Sequence, residues 1–127
     1  MLPKTQRIRT AEQFFRTQRS GSRFGNRNVV VSANIRPNDG TDLRAGFIVS
    51  KAVGNAVVRN KVKRRLRAIV ADLMKRDPVL QPAEGVVDIV IRALPAAANL
   101  DYHTLEESAS HAIHGALRKF MSHDAQR

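Results

Sequence analysis

The amino-acid sequence predicts a small α+β sandwich with its elements in the order α-β-β-α-β-α. Three observations predict it. The 127 residues suit one domain around one core. Three strand-length stretches rich in valine and isoleucine are interspersed with segments whose apolar residues recur every three or four positions. Turn residues and prolines punctuate the segments. The expected organisation is a single domain over 1–127, with about 1–6 and 121–127 flexible.

Thr10-Ala11-Glu12-Gln13 has the form of a capping box, so the first helix is placed from about Thr10 to Arg19, stopping near Gly21. Ser20–Arg27, SGSRFGNR, reads as a basic loop. Asn28–Ile35 reads as a strand, Pro37-Asn38-Asp39-Gly40 as a turn, and Leu43–Ser50 as a second strand. In the second strand Ala45, Phe47 and Val49 share one side, with Gly46 and Ile48 on the other. These two strands are expected to pair as an antiparallel hairpin. Gly54-Asn55 then breaks the chain before a long helix from Ala56 to Lys75, ended by Asp77-Pro78. Residues 77–85 form a loop, and Val86–Ile91 a third strand. Past Pro95 comes a last helix, with Leu105, Ala109, Ala112, Ile113, Ala116, Leu117 and Phe120 on its apolar stripe.

Charge narrows the function. The net charge is +11, and it is concentrated at one end. Residues 1–67 hold 16 Lys/Arg against 3 Asp/Glu, a net +13, whereas residues 68–127 hold 6 against 8, a net −2. Such asymmetry points to a surface for a polyanion, with nucleic acid ahead of an anionic membrane. No apolar run approaches the ~18–20 residues of a membrane span. There is no cysteine, which excludes disulfides and cysteine-bound zinc and fits a cytoplasmic setting.

The long helix concentrates the charge. Six cations stand between Arg59 and Arg67, and no acid occurs between Lys51 and Ala71. Each residue advances ~100° around a helix. Val58, Val62, Leu66, Ile69 and Leu73 therefore make one narrow apolar stripe. Asn60, Lys63, Arg64 and Arg67 fall on the opposite side, while Arg59, Lys61 and Arg65 flank the stripe and can snorkel outward. An ordinary solvated face mixes signs. Here like charges at i,i+3 and i,i+4 each cost a few tenths of a kcal/mol, and a phosphate backbone reverses the sign of that cost. The helix follows a strand and a Gly-Asn turn, so it is not part of a helix-turn-helix.

Other signals carry less. His111 and His114 are spaced as a metal pair but have no third ligand nearby in sequence. Glu106 and Glu107 are adjacent and diverge on a helix; they suit its N-terminal end. No nucleophile triad or phosphate-cradling glycine loop is present, and no catalytic residue is inferred in the protein.

The stretch SKAVGNAVVRNKVKRRLR, Ser50 to Arg67, resembles the signature of the bacterial ribonuclease P protein subunit. It combines a Ser-Lys, a Gly-Asn-Ala-Val turn and an Arg-Asn followed by Lys-Arg on one helix. Arg7-Ile8-Arg9, Phe14, Gly21 and Asn26-Arg27 fit the family's N-terminal pattern, and the strand ending at Ile91, Pro95 and the helix from Tyr102 fit its C-terminal part. The resemblance implies a ribosomal-protein-like α/β sandwich with a left-handed βαβ crossover, against the general right-handed rule. It implies a monomeric protein bound 1:1 to a catalytic RNA that uses Mg2+ to remove the 5′ leader of precursor tRNA. Arg59, Asn60, Lys61, Lys63, Arg64 and Arg67 would then meet the catalytic RNA. Phe14, Arg16, Ser32, Lys51 and Arg92 would line the leader cleft between the first helix and the sheet.

The chain departs from the family pattern at several positions. Lys61 replaces an arginine and so keeps charge without the bidentate fork. Ala52 replaces a lysine. Gln18 and Ser32 stand where aromatics are common. Arg92 lies one step before the usual basic position, a shift expected to turn it to the other face. Two other functions compete with this reading: a general RNA-binding or ribosome-associated protein, and a protein-only nuclease. The latter would need clustered carboxylates for two metals, and the sequence offers none.

Overall fold

A computed structural model describes residues 7–8, 11–36, 41–80 and 85–125. Its elements run α1 (Ala11–Ser20), β1 (Ser22–Gly25), β2 (Val29–Arg36), β3 (Thr41–Ile48), α2 (Ala56–Arg76), β4 (Gly85–Ala93) and α3 (Tyr102–Ala125), with short 3-10 turns at Pro78–Leu80 and Pro95–Asn99. The expected α+β architecture is present with one strand added. The proposed Thr10 cap, Arg9 and the Pro37–Gly40 turn lie outside the described residues.

The four strands form one mixed sheet in the order β1-β2-β4-β3. The expected hairpin between β2 and β3 is absent, because β4 lies between them, antiparallel to β2 and parallel to β3. The reason is burial. Every residue of β4 except Arg92 is buried, and a strand covered on both faces belongs at the centre of a sheet. The true hairpin joins β1 to β2, within the segment read as a loop. Four residues are too short to show a period; their pairing with β2 makes them a strand. Asn26 builds the turn. Its Oδ1 accepts the N–H groups of Asn28 (2.9 Å) and Val29 (3.1 Å), and its Nδ2 donates to the Ser108 carbonyl of α3 at 3.0 Å.

α2 and α3 cover one face of the sheet. The core between them contains Val29, Val31, Ala33, Leu43, Ala45, Ile89 and Ile91 from the strands. From α2 it receives Val62, Leu66, Ile69, Val70 and Leu73, with Val58 packed at the margin. Burying five such side chains supplies on the order of 10 kcal/mol, which outweighs the ~1–2 kcal/mol of like-charge repulsion along the same helix. From α3 come Leu105, Ala109, Ala112, Ile113, Ala116 and Leu117, all buried as their spacing predicts. Gly115 lets Phe24 lie against the helix backbone, since a Cβ there would sit 2.4 Å from the ring. α3 continues helically to Ala125. No proline or glycine follows Gly115 to stop it.

α1 covers the opposite face. Phe14 overlies Gly46 of β3, where a Cβ would sit 2.5 Å from the ring. On this face Ser32, Val90 and Gly46 form one row across the sheet, Val30, Arg92 and Ile48 a second, and Asn34, Asp88 and Arg44 a third. Asp88 is 1% exposed. It accepts from Arg36 Nε at 2.9 Å and Arg44 Nε at 3.1 Å, so one buried carboxylate ties β2, β4 and β3 together.

The helix caps are local. Asn55 Oδ1 accepts the Val58 N–H at 3.0 Å at the start of α2, and the Asp77 N–H closes its end onto Leu73 O. Asp101 Oδ1 accepts the Thr104 N–H at 2.7 Å at the start of α3. That hydrogen bond holds the Asp101 carboxyl below its ordinary range. Asn55→Ala should cost about 1 kcal/mol, a fall in Tm of roughly 4 °C on thermal unfolding. An unchanged Tm would mean the cap contributes nothing.

Candidate nucleic-acid interface

The buried stripe of α2 fixes where its charge goes. Val62 and Leu66 point into the core, so Asn60 and Arg64 are exposed on the far side, with Lys63 and Arg67 half-exposed beside them. Together with Ala68 these four line a groove of about 480 Å³ on the outer face of the helix. Among the described residues no carboxylate pairs with Lys63, Arg64 or Arg67. The acids pair elsewhere: Asp72 with Arg76 at 2.6 Å, Glu106 with Arg76 at 3.4 Å, Asp77 with His114 at 2.5 Å. Among the described residues the basic row is thus left without internal neutralisation.

The flanking cations divide. Lys61 is exposed. Arg65 donates to the Leu100 carbonyl at 2.8 Å and serves the fold instead of snorkelling outward. Arg59 is half-buried, and its Nε is closed off without an acceptor.

A second cavity, of about 190 Å³, opens at the edge of β3. Phe14 lines it together with Gly46, Phe47, Lys63 and Arg67. Lys63 and Arg67 therefore border both openings, and the structure brings Phe14 beside two residues of the basic row. Sequence reasoning put these residues in separate groups, because nothing in the spacing links Phe14 to a helix some fifty residues away.

The other proposed cleft residues are more dispersed. Arg92 is exposed and stands on the α1 face, two residues along β4 from Val90. The expected turn to the other face does not occur, because Arg92 pairs with Val30 and Ile48 on the side away from the core. Lys51 is exposed in the turn that leaves β3, at the same end of the sheet as Arg92. Ser32 lies on the same face but is 5% exposed. Arg16 falls ~160° around α1 from Phe14, so the two flank opposite sides of the helix. Phe15 and Ala68 were missed as surface features. Phe15 is 61% exposed and carries Arg19 over its ring, a pairing its i,i+4 spacing could have revealed.

His111 and His114 part company. His111 meets Phe24 edge-on with centroids 5.4 Å apart, and His114 meets Asp77. Among the described residues no three His, Cys, Asp or Glu side chains converge on a metal position.

A basic helix set against a mixed sheet, with an aromatic beside its cations, is a fold that can be compared directly. A family model described as Ribonuclease P matches residues 2–117. The chain belongs to the ribonuclease P protein family. It is 49% identical over 119 residues to the ribonuclease P protein component of Kocuria rhizophila, covering 94% of this chain and 98% of that one. It is 46% identical over 125 residues to that of Micrococcus luteus, covering 93% and 92%. Among solved structures, the RNase P protein of Staphylococcus aureus superposes with a TM-score of 0.74 at 28% identity over 89% of this chain and 96% of that one. That of Thermotoga maritima superposes with a TM-score of 0.66 at 26% identity over 88% and 96%. The ribonuclease P protein fold thus extends over nearly all of the described chain.

Proposed function

We propose that this protein acts as the subunit of ribonuclease P that holds RNA, binding the catalytic RNA and the 5′ leader of precursor tRNA so that the leader is removed endonucleolytically. The observation that carries the reading is the row Lys63, Arg64 and Arg67, which faces away from the core without a carboxylate partner among the described residues. Arg64 and Arg67 can fork onto pairs of phosphate oxygens, and Lys63 acts as a point charge. Asn60, between them, can donate to and accept from a ribose hydroxyl or a base edge. Arg59 and Lys61 extend the row toward the start of α2. Phe14 sits where an RNA strand leaving Lys63 and Arg67 enters the β3-edge cavity. Lys51 and Arg92 add positive charge at one end of the sheet.

The chemistry of bond cleavage is assigned to the RNA. Mg2+ requires oxygen ligands, whereas the basic row offers it guanidinium, ammonium and a single amide. These residues do not fit a Mg2+ site, so the ion's ligands are placed on the RNA. The protein's part is to lower the repulsion between RNA phosphates, acting as a monomer bound 1:1 in the cytoplasm.

Reconstitution tests this. The purified chain added to ribonuclease P RNA at low Mg2+ should raise the rate of precursor-tRNA cleavage or tighten substrate binding, and should lower the Mg2+ needed. RNA binding without either gain would favour a general RNA-binding protein. Cleavage by the protein alone would indicate a nuclease.

A further inference from the structure

We propose that Phe15, with Arg16 and Arg19 beside it on α1, is a stacking platform for an unpaired RNA base, separate from the Phe14 cavity. The proposal rests on the RNA-binding function above. α1 is fixed from its inner side. Thr17 is fully buried and donates its hydroxyl to the Gln13 carbonyl at 2.9 Å, and Phe14 is held over Gly46. Phe15 then lies ~160° around the helix from Thr17, facing away from the sheet. It is 61% exposed, whereas the other four phenylalanines are half-buried.

The ring is not a bare apolar spot. The Arg19 guanidinium carbon lies over the ring, 5.7 Å from its centroid, which steadies the ring and places a cation against it. Arg16, the next residue, has its Nε closed off without an acceptor. Glu12 lies one turn earlier on the same side, yet among the described residues it pairs with neither arginine. Neither guanidinium is therefore neutralised by a described carboxylate. An aromatic ring flanked by such arginines suits single-stranded RNA, with a base on the ring and phosphates on the cations. A protein partner suits it poorly. Gln18, Arg16 and Arg19 surround a single ring, which falls far short of the contiguous apolar patch that protein docking uses. Phe14 and Phe15 diverge by ~100°, so a strand leaving the Phe14 cavity reaches Phe15 by passing over the edge of α1.

The test uses the full chain assembled with ribonuclease P RNA, measuring the Kd for precursor tRNA with a single-stranded leader. A second arm measures the Kd of the chain for ribonuclease P RNA alone. Phe15→Ala should weaken one of these by roughly 5- to 150-fold, the range for loss of one base–aromatic stack, while Tm stays unchanged. Phe15→Trp should keep wild-type affinity. The arm that responds identifies which RNA supplies the base. Phe15→Ala within twofold of wild type in both arms would overturn the platform. If Arg64→Ala/Arg67→Ala weakened binding in the same experiment, the proposed function would stand without it. An absence of RNA affinity in the wild-type chain would remove both. A lowered Tm, or altered self-association with RNA affinity intact, would assign Phe15 to the fold or to a protein contact and overturn the proposal.

Discussion

Raising the salt from 50 to 200 mM should weaken RNA binding by about 10³-fold, if the protein displaces counterions from ~6 phosphates. Arg64→Ala/Arg67→Ala should remove two of those contacts. The slope of log K against log salt should then flatten by roughly 2 units, and the same salt step should cost only ~10²-fold. Folding should barely change, because neither residue contributes to the buried stripe of α2 and neither pairs with a described carboxylate. Relief of the repulsion between neighbouring cations even favours the variant helix slightly. Binding titrations at four or five salt concentrations, with thermal unfolding in parallel, check this. A flat salt profile in the wild-type protein would contradict the phosphate reading, and a large fall in Tm in the variant would mean that the helix is oriented otherwise.

Asp88→Ala should destabilise the protein by about 3 kcal/mol, or roughly 10 °C in Tm. Asp88 accepts from both Arg36 and Arg44 on the α1 face of the sheet. Removing it takes a shared carboxylate from two guanidinium groups whose side chains are only 20% and 21% exposed. The controlling variant replaces all three by apolar residues, Asp88→Leu with Arg36→Met and Arg44→Met. Where a buried ionic cluster is exchanged whole for apolar side chains, stability is commonly kept. The triple variant should therefore recover most of the loss. A single variant as stable as wild type would show that water screens the cluster.

The orientation of α2 was legible in the sequence because helical periodicity is a local property. Val62, Leu66, Ile69 and Leu73 share one side by spacing alone, and the same spacing sends Arg64 outward. Val70 was missed because it stands ~80° from Val62, at the margin of the stripe, and only contact with the rest of the core buries it. Arg65 shows the reverse case. Its position beside the stripe suggested a cation free to reach outward, yet the Leu100 carbonyl, thirty-five residues on, captures it.

Periodicity, turn residues and charge placement thus determined the elements, the cationic side of α2 and the resemblance to one family, since each depends on residues a few positions apart. Tertiary structure alone decided that β4 enters between β2 and β3, that four residues after Gly21 become a strand, and that Phe14 meets Lys63 and Arg67. It also decided that Asp88 lies between two arginines. These outcomes depend on which surfaces are buried against which across long stretches of chain. Strand order follows from β4 being buried on both faces along nearly its whole length and needing a neighbour on each side, a demand visible only once every strand competes for the centre of the sheet.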